Sequence, residues 1–78
     1  MTNMEKYMDI FKTTFSVSEE EAKGLSYQDI PAWDSVGHMG LIAELEDAFD
    51  IMMETDDIID FSSFEKGVEI LKKYDVIF

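Results

Sequence analysis

DSVGHMGLIAELEDAFDI, residues 34–51, contains the strongest helical pattern in the chain. Leu41, Leu45 and Phe49 recur at intervals of four and would therefore lie on one face of a helix. We predict a helix over residues 35–50, with this face turned towards the core. The same face is widened by Ile42 and Met52.

The residues before this helix predict a second helix and a long connection. Residues 3–15 carry one apolar stripe at helical spacing. Its members are Met4, Met8, Phe11 and Phe15. Residues 16–34 break the pattern with serines, a glycine and the only proline, so they read as a long connection. Ser18 and Glu21 form a possible capping box for a short helical turn over 18–23. The side chains expected to hold this connection on the core are Leu25, Tyr27, Ile30 and Trp33.

The residues after residue 51 predict two further helical segments. Residues 56–60, DDIID, make at most one short turn, with acids suited to a helix N-terminus. Residues 63–74 form the last helix, for which Ser62 and Glu65 predict a capping box. The inward-facing side chains would be Phe64, Val68, Leu71 and Tyr74.

These segments predict one all-α domain over residues 1–78. No segment alternates with a period of two residues, so no strand is expected. The prediction is a small four-helix bundle, made of three main helices and one short helix, with a long first loop.

The charge of the chain limits its partners. Eighteen acidic residues face six basic ones, for a net charge of −12. This charge disfavours nucleic acid and anionic membrane surfaces and favours partners with basic patches. No apolar run is long enough to span a bilayer, and the N-terminal residues do not resemble a signal peptide. We therefore expect a cytoplasmic monomer.

The residues available for catalysis are few. The chain has one histidine, His38, and no cysteine. A Ser–His–Asp set could use only His38, three positions from Ser35, and a domain this small leaves little room for a cleft. The acidic run 54–60 lacks the spacing and central glycine of a calcium loop, so no metal site is expected.

Asp34 and Ser35 allow two interpretations. Both residue types favour helix N-caps, so the pair could simply begin the helix. Alternatively, the Ser35 hydroxyl is exposed at a helix N-terminus and carries a covalent group. A phosphodiester would suit this position, because free backbone N–H groups and the helix dipole favour an anion there.

The segment DSVGHMGLIAELEDAFDI resembles the prosthetic-group segment of acyl carrier proteins and of the related peptidyl carrier domains. These proteins share an Asp-Ser-Leu motif followed by an apolar-patterned helix. The resemblance extends over nearly the whole chain, because the helix order, the long loop and the acidic charge also fit. It favours modification of Ser35 over a cap alone.

The resemblance implies a carrier that catalyses nothing itself. A phosphopantetheinyl transferase would attach 4′-phosphopantetheine from coenzyme A to Ser35, and Asp34 would belong to the motif which that enzyme recognises. The arm would hold an acyl or aminoacyl group as a thioester. The further partners would be an acyl- or aminoacyl-loading ligase and an acyl-accepting transferase.

The sequence departs from this family beside Ser35. Val36 replaces the usual leucine, and Gly37 and Gly40 stand where carriers of fatty acid synthesis commonly have acids. We expect these glycines to let a partner enzyme or the arm approach the backbone closely. The predicted partner-binding residues are Val36, Gly37, Met39, Gly40, Ala43, Asp47, Asp56 and Asp57.

Three functions therefore remain open. The first is a freestanding acyl carrier in a dedicated lipid, polysaccharide or secondary-metabolite pathway. The second is an aminoacyl or peptidyl carrier loaded by an adenylating ligase, which the low charge near Ser35 also fits. The third, from another class, is a cofactor-free acidic helical adaptor that binds a basic partner.

Overall fold

The computed structural model describes all of residues 1–78 and contains five helices and no strand. The helices are α1 (Asn3–Phe15), α2 (Glu19–Lys23), α3 (Ser35–Phe49), α4 (Thr55–Asp60) and α5 (Phe64–Lys72). The predicted all-α class is confirmed. The predicted number of four helices is wrong, because the turn after Ser18 forms a separate helix. No helix combines the length and apolar composition needed to cross a bilayer.

The first two helix starts are fixed by capping boxes. The Ser18 hydroxyl accepts a hydrogen bond from the Glu21 N–H, and the Glu21 carboxylate accepts one from the Ser18 N–H, as predicted. Thr2 and Glu5 form the same reciprocal pair at the start of α1. Each pair satisfies backbone donors that the first turn of a helix leaves without an internal partner.

The cap of α5 is Ser63, and the predicted capping box of Ser62 with Glu65 is wrong. The Ser63 hydroxyl accepts from the Lys66 N–H at 3.0 Å. Ser62 cannot take this position, because its carbonyl accepts from the Tyr27 N–H at 2.8 Å and the chain stays extended through Ser63. The cap therefore moves one residue along the chain.

The core is centred on aromatic side chains. Tyr7 and Phe11 are fully buried, and Phe15 follows them one turn further along α1. Met4 was predicted in this stripe but is exposed, and Tyr7 takes its place. Tyr7 can be buried because its hydroxyl donates to the Phe64 carbonyl at 2.8 Å.

The end of α3 decides which methionine reaches the core. Met52 was predicted on the buried face of α3, but it is 85% exposed, and Met53 is buried instead. The helix stops at Phe49 because Asp50 adopts a left-handed conformation (φ 53°, ψ 51°). The helical register therefore does not extend to Met52.

The long connection between α1 and α3 is held on the core, as predicted. Leu25 and Trp33 are buried, and Tyr27 and Ile30 pack partly against the same core. The connection also pairs with the segment before α5, through an isolated antiparallel bridge between Ser26 and Ser63. These contacts fix the residues that lead into α3.

Asp57, one of the predicted partner-binding residues, is buried and not an exposed carboxylate. Asp57 is 7% exposed and accepts hydrogen bonds from the Lys73 ammonium and the Tyr74 hydroxyl, each at 2.5 Å. These bonds, that of Lys73 first, hold the pKa of the Asp57 carboxyl below its ordinary value. They tie α4 to the residues after α5, so this carboxylate is engaged within the protein.

We predict that Asp57→Asn destabilises the fold in a pH-dependent way. A depressed pKa adds stability above the unfolded pKa of about 3.9, and this stability is lost as the pH falls through the lower folded pKa. Urea denaturation measures the difference in unfolding free energy between parent and variant. This difference should be largest near neutral pH and should shrink in acid. The exposed neighbour Asp56 gives the control Asp56→Asn, which should change little at either pH. An Asp57→Asn effect that stays constant with pH would contradict the role of the ionised carboxylate.

Candidate functional site

Ser35 lies at the first residue of α3 with its side chain exposed. Asp34 is the N-cap of this helix, and its carboxylate accepts a hydrogen bond from the Gly37 N–H at 2.8 Å. The Asp34 carbonyl also accepts from the His38 N–H at 2.8 Å. The predicted helix start is confirmed, and it presents a hydroxyl to solvent beside a capping carboxylate.

Tyr27 stands beside Ser35. The Tyr27 hydroxyl oxygen lies 3.3 Å from Ser35 Oγ, and either oxygen can be the donor. The backbone of Tyr27 is fixed because its N–H donates to the Ser62 carbonyl at 2.8 Å. A side chain of the long connection is thereby held against the serine.

His38 links the long connection to α3 and α4. The indole N–H of Trp33 donates to His38 Nδ1 at 2.9 Å. Because an indole nitrogen can only donate, Nδ1 is an acceptor and the ring proton sits on Nε2. Nε2 then donates to the Ile58 carbonyl at 2.8 Å. Both ring nitrogens of His38 are therefore engaged in hydrogen bonds.

An apolar groove opens between the start of α3 and α4, next to Ser35. Its volume is about 360 Å³, and it is lined by Tyr27, Ser35, His38, Met39, Ile58, Ile59, Phe61 and Ser62. None of these side chains is an acid, a lysine or an arginine, although the protein carries a net charge of −12. The lining of this groove is therefore uncharged in an otherwise acidic molecule.

Gly37 is required by a contact inside the protein. A Cβ atom at this position would lie 1.9 Å from the Ala32 carbonyl oxygen, which is far inside van der Waals contact. Close approach of the preceding loop to the first turn of α3 thus explains the glycine. This contact gives an intramolecular reason for Gly37, and the close approach of a partner or a prosthetic arm stays a prediction.

Gly40 is different, because a Cβ atom there would meet nothing within 4 Å. Gly40 is exposed together with Val36, Met39 and Ala43, as the helical spacing predicts. Val36 is 81% exposed. The outer face of α3 beside Ser35 is therefore small, apolar and open to solvent.

The predicted acids lie outside the groove. Asp47 on α3 and Asp56 on α4 are exposed, and neither lines the groove. No three acidic or histidine side chains converge where they could hold a metal ion. The groove therefore contains no charged side chain.

Two sets of contacts at this site were not expected from the sequence. Tyr27 was expected only to hold the loop on the core, and its contact with Ser35 depends on the pairing of the loop with Ser62. The link from Trp33 through His38 to Ile58 was not expected either. A histidine three residues after the serine was the available signal for a residue near the site, but its partners are distant in sequence.

The fold and the site define a small all-helical protein that presents a capped, exposed serine beside an apolar groove. No protein-family model matches the chain, and no curated protein or solved structure matches it.

We predict opposite effects of alanine at the two glycines of α3. Gly37→Ala should lower the unfolding free energy by about 1–3 kcal/mol, because the methyl group would overlap the Ala32 carbonyl. Gly40→Ala should raise it by up to about 1 kcal/mol, because alanine favours the helix and meets no obstacle. Urea denaturation of both variants measures the two effects. A Gly37→Ala protein as stable as the parent would show that the loop is not confined against α3.

Proposed function

We propose that this protein carries acyl or aminoacyl groups on a 4′-phosphopantetheine arm attached to Ser35. The observation that supports the proposal most is the exposed Ser35 hydroxyl at the start of α3, beside the capping residue Asp34 and the mouth of an uncharged groove. The resemblance of residues 34–51 to the prosthetic-group segment of carrier proteins points to the same serine. The protein would be a substrate of a phosphopantetheinyl transferase and not itself an enzyme.

The residues around Ser35 fit such a group. The hydroxyl is accessible to a second protein, and the positive end of the α3 dipole favours the anion of a phosphodiester. No acidic side chain lines the groove beside it, so like-charge repulsion from this surface is small. When attached, the arm supplies a thiol that holds its cargo as a thioester.

The groove offers apolar surface to a cargo. Met39, Ile58 and Ile59 line it together with the buried ring of Phe61. Burial of apolar surface contributes about 25 cal/mol per Å², and the flexible methionine can adapt to chains of different shape. This composition suits an acyl chain.

The face beside Ser35 favours partners that read shape and apolar contact. Val36 and Met39 are exposed there, and Gly40 and Ala43 add neither charge nor bulk. Neighbouring exposed apolar side chains on one helix face suit contact with an apolar surface of a partner. Because the acids usual in fatty acid synthesis carriers are absent here, we place the protein in a dedicated lipid, polysaccharide or secondary-metabolite pathway. A neutral docking face also suits an aminoacyl carrier that is loaded by an adenylating ligase.

We predict that the protein gains one phosphopantetheinyl group when it is incubated with coenzyme A and a broad-specificity transferase. Intact mass spectrometry measures the gain. Ser35→Ala should remain unmodified, because it lacks the nucleophilic oxygen. Ser26→Ala is the matched control, since Ser26 is an exposed serine of the long connection that makes no hydrogen bond to Ser35, and it should be modified like the parent.

The opposite result would identify another class of function. If a folded parent protein gains no mass, Ser35 serves only to begin α3. The strongly acidic bundle would then be an adaptor for a basic partner. Circular dichroism of the same samples establishes that the protein is folded.

A further inference from the structure

Tyr27 is held on several sides, which fixes the position of its hydroxyl. The Tyr27 ring packs edge to face against Trp33, with ring centroids 6.2 Å apart and an interplanar angle of 89°. It packs in the same way against His38, at 5.4 Å and 72°. The backbone N–H of Tyr27 donates a hydrogen bond to the Ser62 carbonyl. Because Trp33 is fully buried, the ring of Tyr27 rests on a rigid support.

The hydroxyl of this fixed ring reaches Ser35. Tyr27 Oη lies 3.3 Å from Ser35 Oγ. The neighbouring Asp34 carboxylate accepts a hydrogen bond from the Gly37 N–H instead. A free serine side chain populates three staggered rotamers. A hydrogen bond to a fixed partner favours the rotamer that makes it, so Tyr27 limits where the serine oxygen can point.

We infer that Tyr27 is a positioning residue for the modification of Ser35, which rests on the proposed function. The Tyr27 O–H donates to one lone pair of Ser35 Oγ and leaves the other lone pair free to attack. Ser35 Oγ forms a bond to the phosphorus that carries the pantetheine, and the bond from this phosphorus to the bridging oxygen of the nucleotide phosphate breaks. The serine proton passes to a base of the transferase, and adenosine 3′,5′-bisphosphate leaves with the bonding electron pair. Tyr27 itself is unchanged.

The expected size of the effect follows from one neutral hydrogen bond. Such a bond contributes about 1 kcal/mol, which corresponds to a change of roughly fivefold in rate if it acts on the reacting geometry. Removal of the Tyr27 hydroxyl leaves the exposed apolar side chains of Val36 and Met39, and so the apolar docking face, unchanged. Loss of the hydroxyl should therefore lower kcat for the loading of this protein and leave KM unchanged.

The test is Tyr27→Phe, which keeps the ring and removes only the hydroxyl. Initial loading rates with coenzyme A and a broad-specificity transferase are measured by intact mass over a range of carrier concentrations. We expect kcat to fall by about three- to tenfold at constant KM. Tyr74→Phe is the matched control, because it removes a hydroxyl that bonds to Asp57 and does not contact Ser35. It should load at the parent rate well below its melting temperature.

A second measurement reports the position of Ser35 without any transferase. Proton NMR coupling constants across the Ser35 Cα–Cβ bond should show one dominant rotamer in the parent and averaging in Tyr27→Phe. Equal kcat for the parent and Tyr27→Phe would overturn the inference alone. A parent protein that acquires no group would overturn the proposed function, and the inference with it.

Discussion

The burial of Trp33 is the contact on which the placement of Ser35 depends. The indole is fully buried, stacks on Phe15 with ring centroids 5.1 Å apart, and meets Phe11 edge to face at 5.5 Å. It comes two residues before Ser35 and is the only buried side chain in residues 26–34. A 78-residue chain has a small core, so one large aromatic side chain supplies much of what orders this loop.

His38 extends that anchor to the far wall of the groove. The imidazole accepts from the Trp33 indole and donates to the Ile58 carbonyl, so the loop, α3 and α4 meet at one ring. Because both of its nitrogens are hydrogen-bonded, the imidazole can lie against the apolar groove without an unpaired polar group. A directional hydrogen bond from His38 to the Ile58 carbonyl thus joins the α3 side of the groove to the α4 side.

The sequence predicted the parts of this structure that depend on local patterns. The helical faces of α1 and α3 follow from apolar spacing, and Asp34 caps α3 because short polar side chains favour that position. Other features depend on single backbone changes or distant contacts. Asp50 turns left-handed and moves Met53 into the core in place of Met52. The burial of Asp57 requires Lys73 and Tyr74, which periodicity cannot connect to it. The same limit applies to Gly37, whose neighbour Ala32 belongs to the loop, and to Tyr27 beside Ser35.

Trp33 is also the only tryptophan in the chain, and its indole N–H donates a hydrogen bond to the imidazole of His38. Intrinsic fluorescence of this protein consequently comes mainly from a single indole in a single environment. Separation of the loop from α3, or of His38 from Ile58, would alter the polarity and the quenching partners around that indole. The molecule therefore contains its own optical probe at the base of the serine-bearing helix, and events at the groove can be followed in real time without an attached dye.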